Sequence, residues 1–355
     1  MTARRLMNPR QLLPLLLLWI FVGLRGAAAS SFITEEVRLE RTAPGAGLTG
    51  TLTCPTGDGP FPAVVLISGL GPGDVGLVEY LAHRGIAVLK FDDRVVSESD
   101  GNPGYWTPEA FTDDALRGVR WLKGRREIDA QHVGLIGHSQ GGLAAAMAAV
   151  RQSDQIAFVV LLAAIGVPVR EWQVRQLVDQ ARAGGIDAHE LAVMARFERE
   201  KIAGVLRAKD AGEIRKLVPE LAARVFAGFT PEQRDKIGLT AAAIEGMAIE
   251  AASPWYREFV AYDPWPIYRR LRCPVLALHG SADLQVAARP NLRSLAAALR
   301  AGGNWRFQTR ELPGLDHSFQ TKVNPVRNAP PAGPGRFDAT ALQTISQWVQ
   351  KQTSP

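Results

Sequence analysis

The chain has 355 residues, 46% hydrophobic and 21% charged, the ordinary balance of a soluble globular protein with length enough for a proper core. Its formal net charge of +6 owes much to Arg4, Arg5, Arg10 and Arg25 in the first 29 residues, a stretch without an acid. Without that stretch, 41 − 4 = 37 basic residues face 35 acidic ones, or +2, so the basic balance gives no support for a nucleic-acid partner.

Residues 1–29 have the layout of a cleavable signal peptide. Basic residues come first, then an apolar stretch from Leu12 to Leu24, then Ala27-Ala28-Ala29 as a small-residue cleavage site. A spanning helix needs roughly 20 apolar residues; this stretch is shorter and Pro14 interrupts it. No stable membrane span is therefore expected after cleavage, an uncleaved anchor being the alternative. No cysteine sits at the cleavage site, so the expectation is secretion or export to a bacterial periplasm.

Phe32–Leu39 and Leu48–Thr53 are expected to form an antiparallel entry to a sheet. Val64–Ser68, Ala87–Phe91, Val133–Gly137 and Phe158–Leu162 are then short, continuous apolar runs separated by helix signals. That alternation predicts a mostly parallel sheet covered on both faces. One helix, Leu77–Arg84, stops before Gly85. A second is expected to begin near the capping pair Thr112-Asp113, with Leu116, Val119 and Leu122 on one face. From 168 to 255 strand runs disappear and apolar spacing turns helical: Val174, Leu177, Val178 and Ala181, then Ile214, Leu217, Val218, Leu221 and Val225. Those stripes are packing faces, and the block is too long for a loop. Strand signals return at Pro274–His279 and Arg306–Leu312; a Pro- and Gly-rich linker over 325–335 precedes a terminal helix from Ala339 to Gln350. The fold class is α/β, with a core over 30–167 and 256–355 interrupted by a helical insert over 168–255. Cys54 and Cys273 each border a strand run and are expected as buried thiols; neither has the neighbours of a metal site.

The chemistry centres on Gly137-His138-Ser139-Gln140-Gly141. An apolar strand precedes it and a small-residue helix follows, the setting of a nucleophile elbow. Glycine is required at 137 and 141 because the strained turn brings backbone where a Cβ would clash. A serine hydroxyl needs a base, and the base an orienting acid, in the chain order serine, acid, histidine for an elbow of this kind. Among six histidines, His83 and His132 precede the serine, His138 lies within the elbow, His189 lies in the insert, and His279 precedes any suitable acid. His317 remains. Asp283 follows a strand at the position for the acid, with neighbouring Asp316 as competitor. For the oxyanion, the Gln140 N–H and the Leu70 N–H of the Gly-rich loop Ser68-Gly69-Leu70-Gly71-Pro72-Gly73 are the candidates. No Gly-Lys-Ser/Thr follows that loop, so it is not read as a phosphate cradle.

Taken together, Ile67-Ser68-Gly69-x-Gly71-Pro72, Phe111-Thr112-Asp113-Asp114-Ala115, Trp121-Leu122-Lys123 with Glu127-Ile128-Asp129, the Ser139 elbow, Ser253-Pro254-Trp255, Cys273–Leu278 and Glu311–Leu315 resemble the lidded serine esterases of the α/β-hydrolase superfamily. The likeness spans roughly residues 48 to 320 and lies near the dienelactone-hydrolase and Xaa-Pro-peptidase branches. It implies an α/β-hydrolase fold and a carboxylic-ester hydrolase with Ser139, Asp283 and His317 as triad, a lid formed by the insert, a small ester as substrate, and no metal or organic cofactor. Trp255 and Tyr256 are expected to line the pocket from the lid side, with packing between lid and core as the alternative. Three departures stand out: Leu70 replaces the family's usual serine, the chain is shortened after Asp74, and Asp92-Asp93-Arg94-Val95-Val96-Ser97 lacks the glycines of Asp-Asp-Arg-Gly-x-Gly. A peptidase or amidase on the same triad, and a non-catalytic binding protein on the same scaffold, remain open.

Overall fold

A run such as Val64-Val65-Leu66-Ile67 sends alternate side chains to opposite faces of a sheet, so a continuous apolar run requires cover on both. The computed structural model of the protein, which describes residues 31–39, 48–68, 75–92, 107–321 and 337–354, supplies it. Among the described residues the strands are β1 (Phe32–Leu39), β2 (Leu48–Pro55), β3 (Phe61–Ile67), β4 (Ala87–Phe91), β5 (Ile128–His138), β6 (Val159–Leu162), β7 (Val275–Gly280) and β8 (Phe307–Leu312). They form one sheet in the order β1-β2-β4-β3-β5-β6-β7-β8. Phe32 faces Pro55 and Leu39 faces Leu48 across the antiparallel β1–β2 pair, and β2 runs antiparallel to β4. From β4 to β8 every pairing is parallel.

Helices α1 (Val75–Ala82), α2 (Pro108–Lys123) and α3 (Gln140–Arg151) follow β3, β4 and β5. Six helices come next: α4 (Val169–Ala183), α5 (Ala188–Arg207), α6 (Ala211–Val225), α7 (Pro231–Lys236), α8 (Ala241–Ala251) and α9 (Pro254–Ala261). After α10 (Trp265–Tyr268), α11 (Ala288–Ala301) and α12 (Ala339–Thr353) complete the described core. Val65, Leu135, Val159 and Ala277 pack on one face of the sheet against α2, α3 and α11. Their neighbours Val64, Ile136, Val160 and Leu276 pack on the other against α1 and α12. The unbroken apolar runs are explained by those two covers.

Two boundaries differ from the sequence reading. Helix α2 is capped by Thr107, whose hydroxyl accepts from the Ala110 N–H, with Pro108 in the first turn. Thr112 is buried mid-helix, its hydroxyl turned back on the Pro108 carbonyl at 2.7 Å. The insert's helices also run past residue 255, because α9, capped by Ser253, continues to Ala261. The insert has its own apolar centre, including Phe197, Val205, Val218, Leu221 and Phe226. Cys54 and Cys273 are free, buried thiols, and burial pushes Cys273 up to about 11. No described helix is long and apolar enough to cross a membrane.

Candidate active site

Because β5, β7 and β8 run parallel, their carboxyl ends lie along one sheet edge, and each of three chemistry-bearing residues follows one of those ends. Ser139 comes directly after β5 at φ 55°, ψ −121°, a backbone conformation that non-glycine residues occupy only under strain. Its N–H donates to the Leu162 carbonyl at 2.8 Å, which pins the turn to β6. A Cβ on Gly137 would lie 2.3 Å from the Gly141 carbonyl oxygen, and one on Gly141 would lie 2.1 Å from that of Ile67. Both glycines are thus required by close backbone approach, as the motif implies. Gln140 begins α3, where a first-turn N–H has no intrahelical acceptor. Such an N–H, at the positive end of the helix dipole, favours negative charge beside it. Leu70 lies outside the described residues, as do Val95 and Ser97.

Asp283 is in the loop after β7, its carboxylate fully buried. One oxygen, Oδ1, accepts from the backbone N–H groups of Gln285 at 2.7 Å and Val286 at 2.8 Å. The other, Oδ2, lies 2.9 Å from His317 Nδ1. With Asp283 ionised, Nδ1 carries the proton it donates, and Nε2 is left as the basic nitrogen. Asp316, the competing acid, accepts instead from the Ser318 and Gln320 N–H groups at 2.9 and 3.0 Å, and so closes the turn that carries His317. The two loops are tied by Gly314 N–H to Ser281 Oγ at 2.8 Å and Ala282 N–H to the Leu315 carbonyl at 2.9 Å.

Ser139 and His317 share no hydrogen bond among the described residues; the two segments that carry them meet through His138. His138, next to the serine, places its Nε2 2.9 Å from the His317 carbonyl oxygen, and the two imidazoles stand 4.7 Å apart. A carbonyl only accepts, so His138 holds its proton on Nε2. Burial drives His138 down to about 3 and His279 to about 4, leaving both neutral near pH 7. The two ring nitrogens of His279 have no hydrogen-bond partner among the described residues. No local pattern signals the His138 contact, which joins residues 179 positions apart.

Of the two expectations for Tyr256, its burial and partners favour packing. It is 1% exposed inside the insert, accepting from Gln173 Nε2 at 2.9 Å and donating to Glu198 at 3.4 Å. Trp255 is half-buried and stacks on Phe259 at 5.4 Å, packing where the insert's centre meets Ile165, Trp172 and Val286. Among the described residues no group of three His, Cys, Asp or Glu side chains is placed to hold a metal ion.

A strand–serine–helix turn and a histidine–carboxylate pair on the loops of two later strands, at one edge of a parallel sheet, define the α/β-hydrolase class. The chain belongs to the alpha/beta hydrolase family, whose sequence pattern matches residues 64–325. It is similar to Esterase EstD of Thermotoga maritima, 24% identical over 86% of this chain and 66% of that protein. It is also similar to Esterase FrsA of Enterobacter sp., 28% identical over 61% of this chain and 53% of the relative. In both, the match spans less than two thirds of the relative's own length. The fold is shared with carboxyl esterase 2 of Tuber melanosporum (TM-score 0.50, 16% identity, 93% of this chain and 89% of that one). It is shared as well with a putative dipeptidyl aminopeptidase IV of Bacteroides ovatus (TM-score 0.53, 14% identity, 91% of this chain and 36% of that one).

Proposed function

We propose that the chain is a serine hydrolase of small carboxylic esters that works through an acyl-enzyme. Ser139 Oγ attacks the ester carbonyl while His317 Nε2 takes its proton. Asp283 holds the imidazole in the required tautomer and stabilises its cation. The oxyanion is held by the Gln140 N–H, joined by that of Leu70. The alcohol leaves with the proton from His317, and water, activated by the same base, frees the acid. The 2.9 Å contact of His317 Nδ1 with an Asp283 carboxylate already held by two backbone donors carries this reading. The esterases among its relatives support the choice of ester over amide. Export, with residues 1–29 removed, is part of the proposal and rests on the sequence of that segment; amino-terminal sequencing of the mature protein tests it.

Labelling with a fluorophosphonate probe is the direct experiment. Label on Ser139 in the unaltered protein, absent after Ser139→Ala, is the expected result. No label at all would move the chain to a binding role. Hydrolysis of p-nitrophenyl acyl esters but not of aminoacyl anilides is expected next, and the reverse preference would make the protein a peptidase or amidase.

A further inference from the structure

Helix α4 has an apolar stripe that the fold leaves incompletely covered. Leu177 and Val178 are only half-buried, although their spacing marks them as packing residues. With α5, which follows the turn at 184–187, and with Val167 and Pro290 of α11 at one end, α4 lines a groove of about 660 Å³, within the size range of small-molecule sites. Val174, Val178, Ile202 and Leu206 form its apolar wall. Ser139, Asp283 and His317 do not line it, so the groove is separate from the site above.

Its charge is one-sided. Arg170, Arg175, Arg182 and Arg199 line it against two carboxylates, Glu171 and Asp179. Asp179 already has Arg175 at 3.3 Å and Arg182 at 3.0 Å. Arg170 and Arg199 stand exposed, as does Glu171, all three without an ion pair among the described residues, which leaves two positive groups against one negative. An apolar trough under unpaired guanidinium groups suits a ligand with a hydrocarbon chain and an anionic head. A cationic or uncharged amphiphile would leave the arginines unmatched, and a bilayer surface is too flat to enter a cleft between two helices.

We propose that this groove binds a long-chain fatty-acid anion as a monomer. Its carboxylate pairs with Arg170 and Arg199, charge-assisted contacts for which guanidinium geometry is suited. Its chain runs along Val174, Val178, Ile202 and Leu206.

Calorimetric titration of the full protein with octanoate, decanoate and dodecanoate, each below its micelle concentration, tests this. Saturable one-to-one binding is expected, tightening about fourfold per added methylene. The double variant Arg170→Gln/Arg199→Gln should bind dodecanoate at least tenfold more weakly, and Val178→Asp should abolish binding. Both should keep the helical circular dichroism and short-ester turnover of the unaltered protein. Equal affinity for dodecyltrimethylammonium, dodecanoate affinity unchanged in both variants, or binding to anionic vesicles but not to monomers would each overturn the proposal. So would loss of binding on fluorophosphonate labelling with no effect of the arginine changes, which would put the ligand at Ser139. A protein inert to the fluorophosphonate is still decided by the arginine and Val178 variants, so this site and the proposed function fail separately.

Discussion

The core and the insert solve the same problem, keeping polar groups in place, by different means. At the sheet edge the backbone does it: two N–H groups hold Asp283, a strand carbonyl anchors Ser139, and the His317 carbonyl receives His138. In the insert, side chains do it. Lys201 and Glu198, both buried, pair at 2.9 Å with Tyr256 alongside, and Lys236 reaches the buried Glu190 at 2.7 Å. Backbone donors survive every substitution except proline and keep a reactive group in one orientation. Side-chain pairs can be lost singly, and each loss leaves a charge without its partner. The difference teaches that precision was built into the chemistry-bearing loops, and replaceable contacts into the helices around them.

The contrast breaks most visibly at the site. Ser139→Ala should lower kcat by about 10⁶-fold and Asp283→Asn by about 10⁴-fold, with thermal midpoints close to that of the unaltered protein; full turnover in Asp283→Asn would show that another group orients His317. In the insert, Lys201→Met strands a buried carboxylate and should cost about 3–5 kcal/mol in chemical denaturation. Adding Glu198→Gln should recover most of that loss, and no recovery would mean the pair is not a unit. A third measurement concerns pH. His138 and His279 are held neutral in the fold, with values of about 3 and 4 against an ordinary 6.5. Below pH 6.5 the unfolded chain therefore binds protons that the native state refuses. Stability from these groups is complete above that pH and falls as pH drops toward 4, by about 1.4 kcal/mol per pH unit for each histidine. His138→Gln should flatten that slope in urea titrations, and an unchanged slope would exclude His138 as its source. The smallest effect is expected at Thr107→Ala, about 1 kcal/mol for a lost helix cap, read as a lowered thermal midpoint.

Much of the core was legible in the sequence because strands buried on both faces must be apolar throughout; Ala87–Phe91 has the same bounds in both. The Ser139 turn was legible for a local reason, since strand, glycines and helix are contiguous. The Asp283–His317 contact is long-range, yet parallel strands send their following loops to one edge, so chain order sufficed to anticipate the pair. Helix α2 was placed late because Thr112 resembles a cap, and only the fold turns its hydroxyl back on the Pro108 carbonyl. The choice between lining and packing at Tyr256 is not legible in the sequence, because an aromatic residue carries no mark of which surface it will meet; its partners Gln173 and Glu198 lie 83 and 58 positions away. The role of His138 was hidden in the same way.

Trp172, on α4, donates its indole N–H to the Gln285 carbonyl at 2.8 Å, two residues from the acid that orients His317. The covering helices are thereby geared to the carboxylate: a rotation of α4 pulls on the very peptide that seats it.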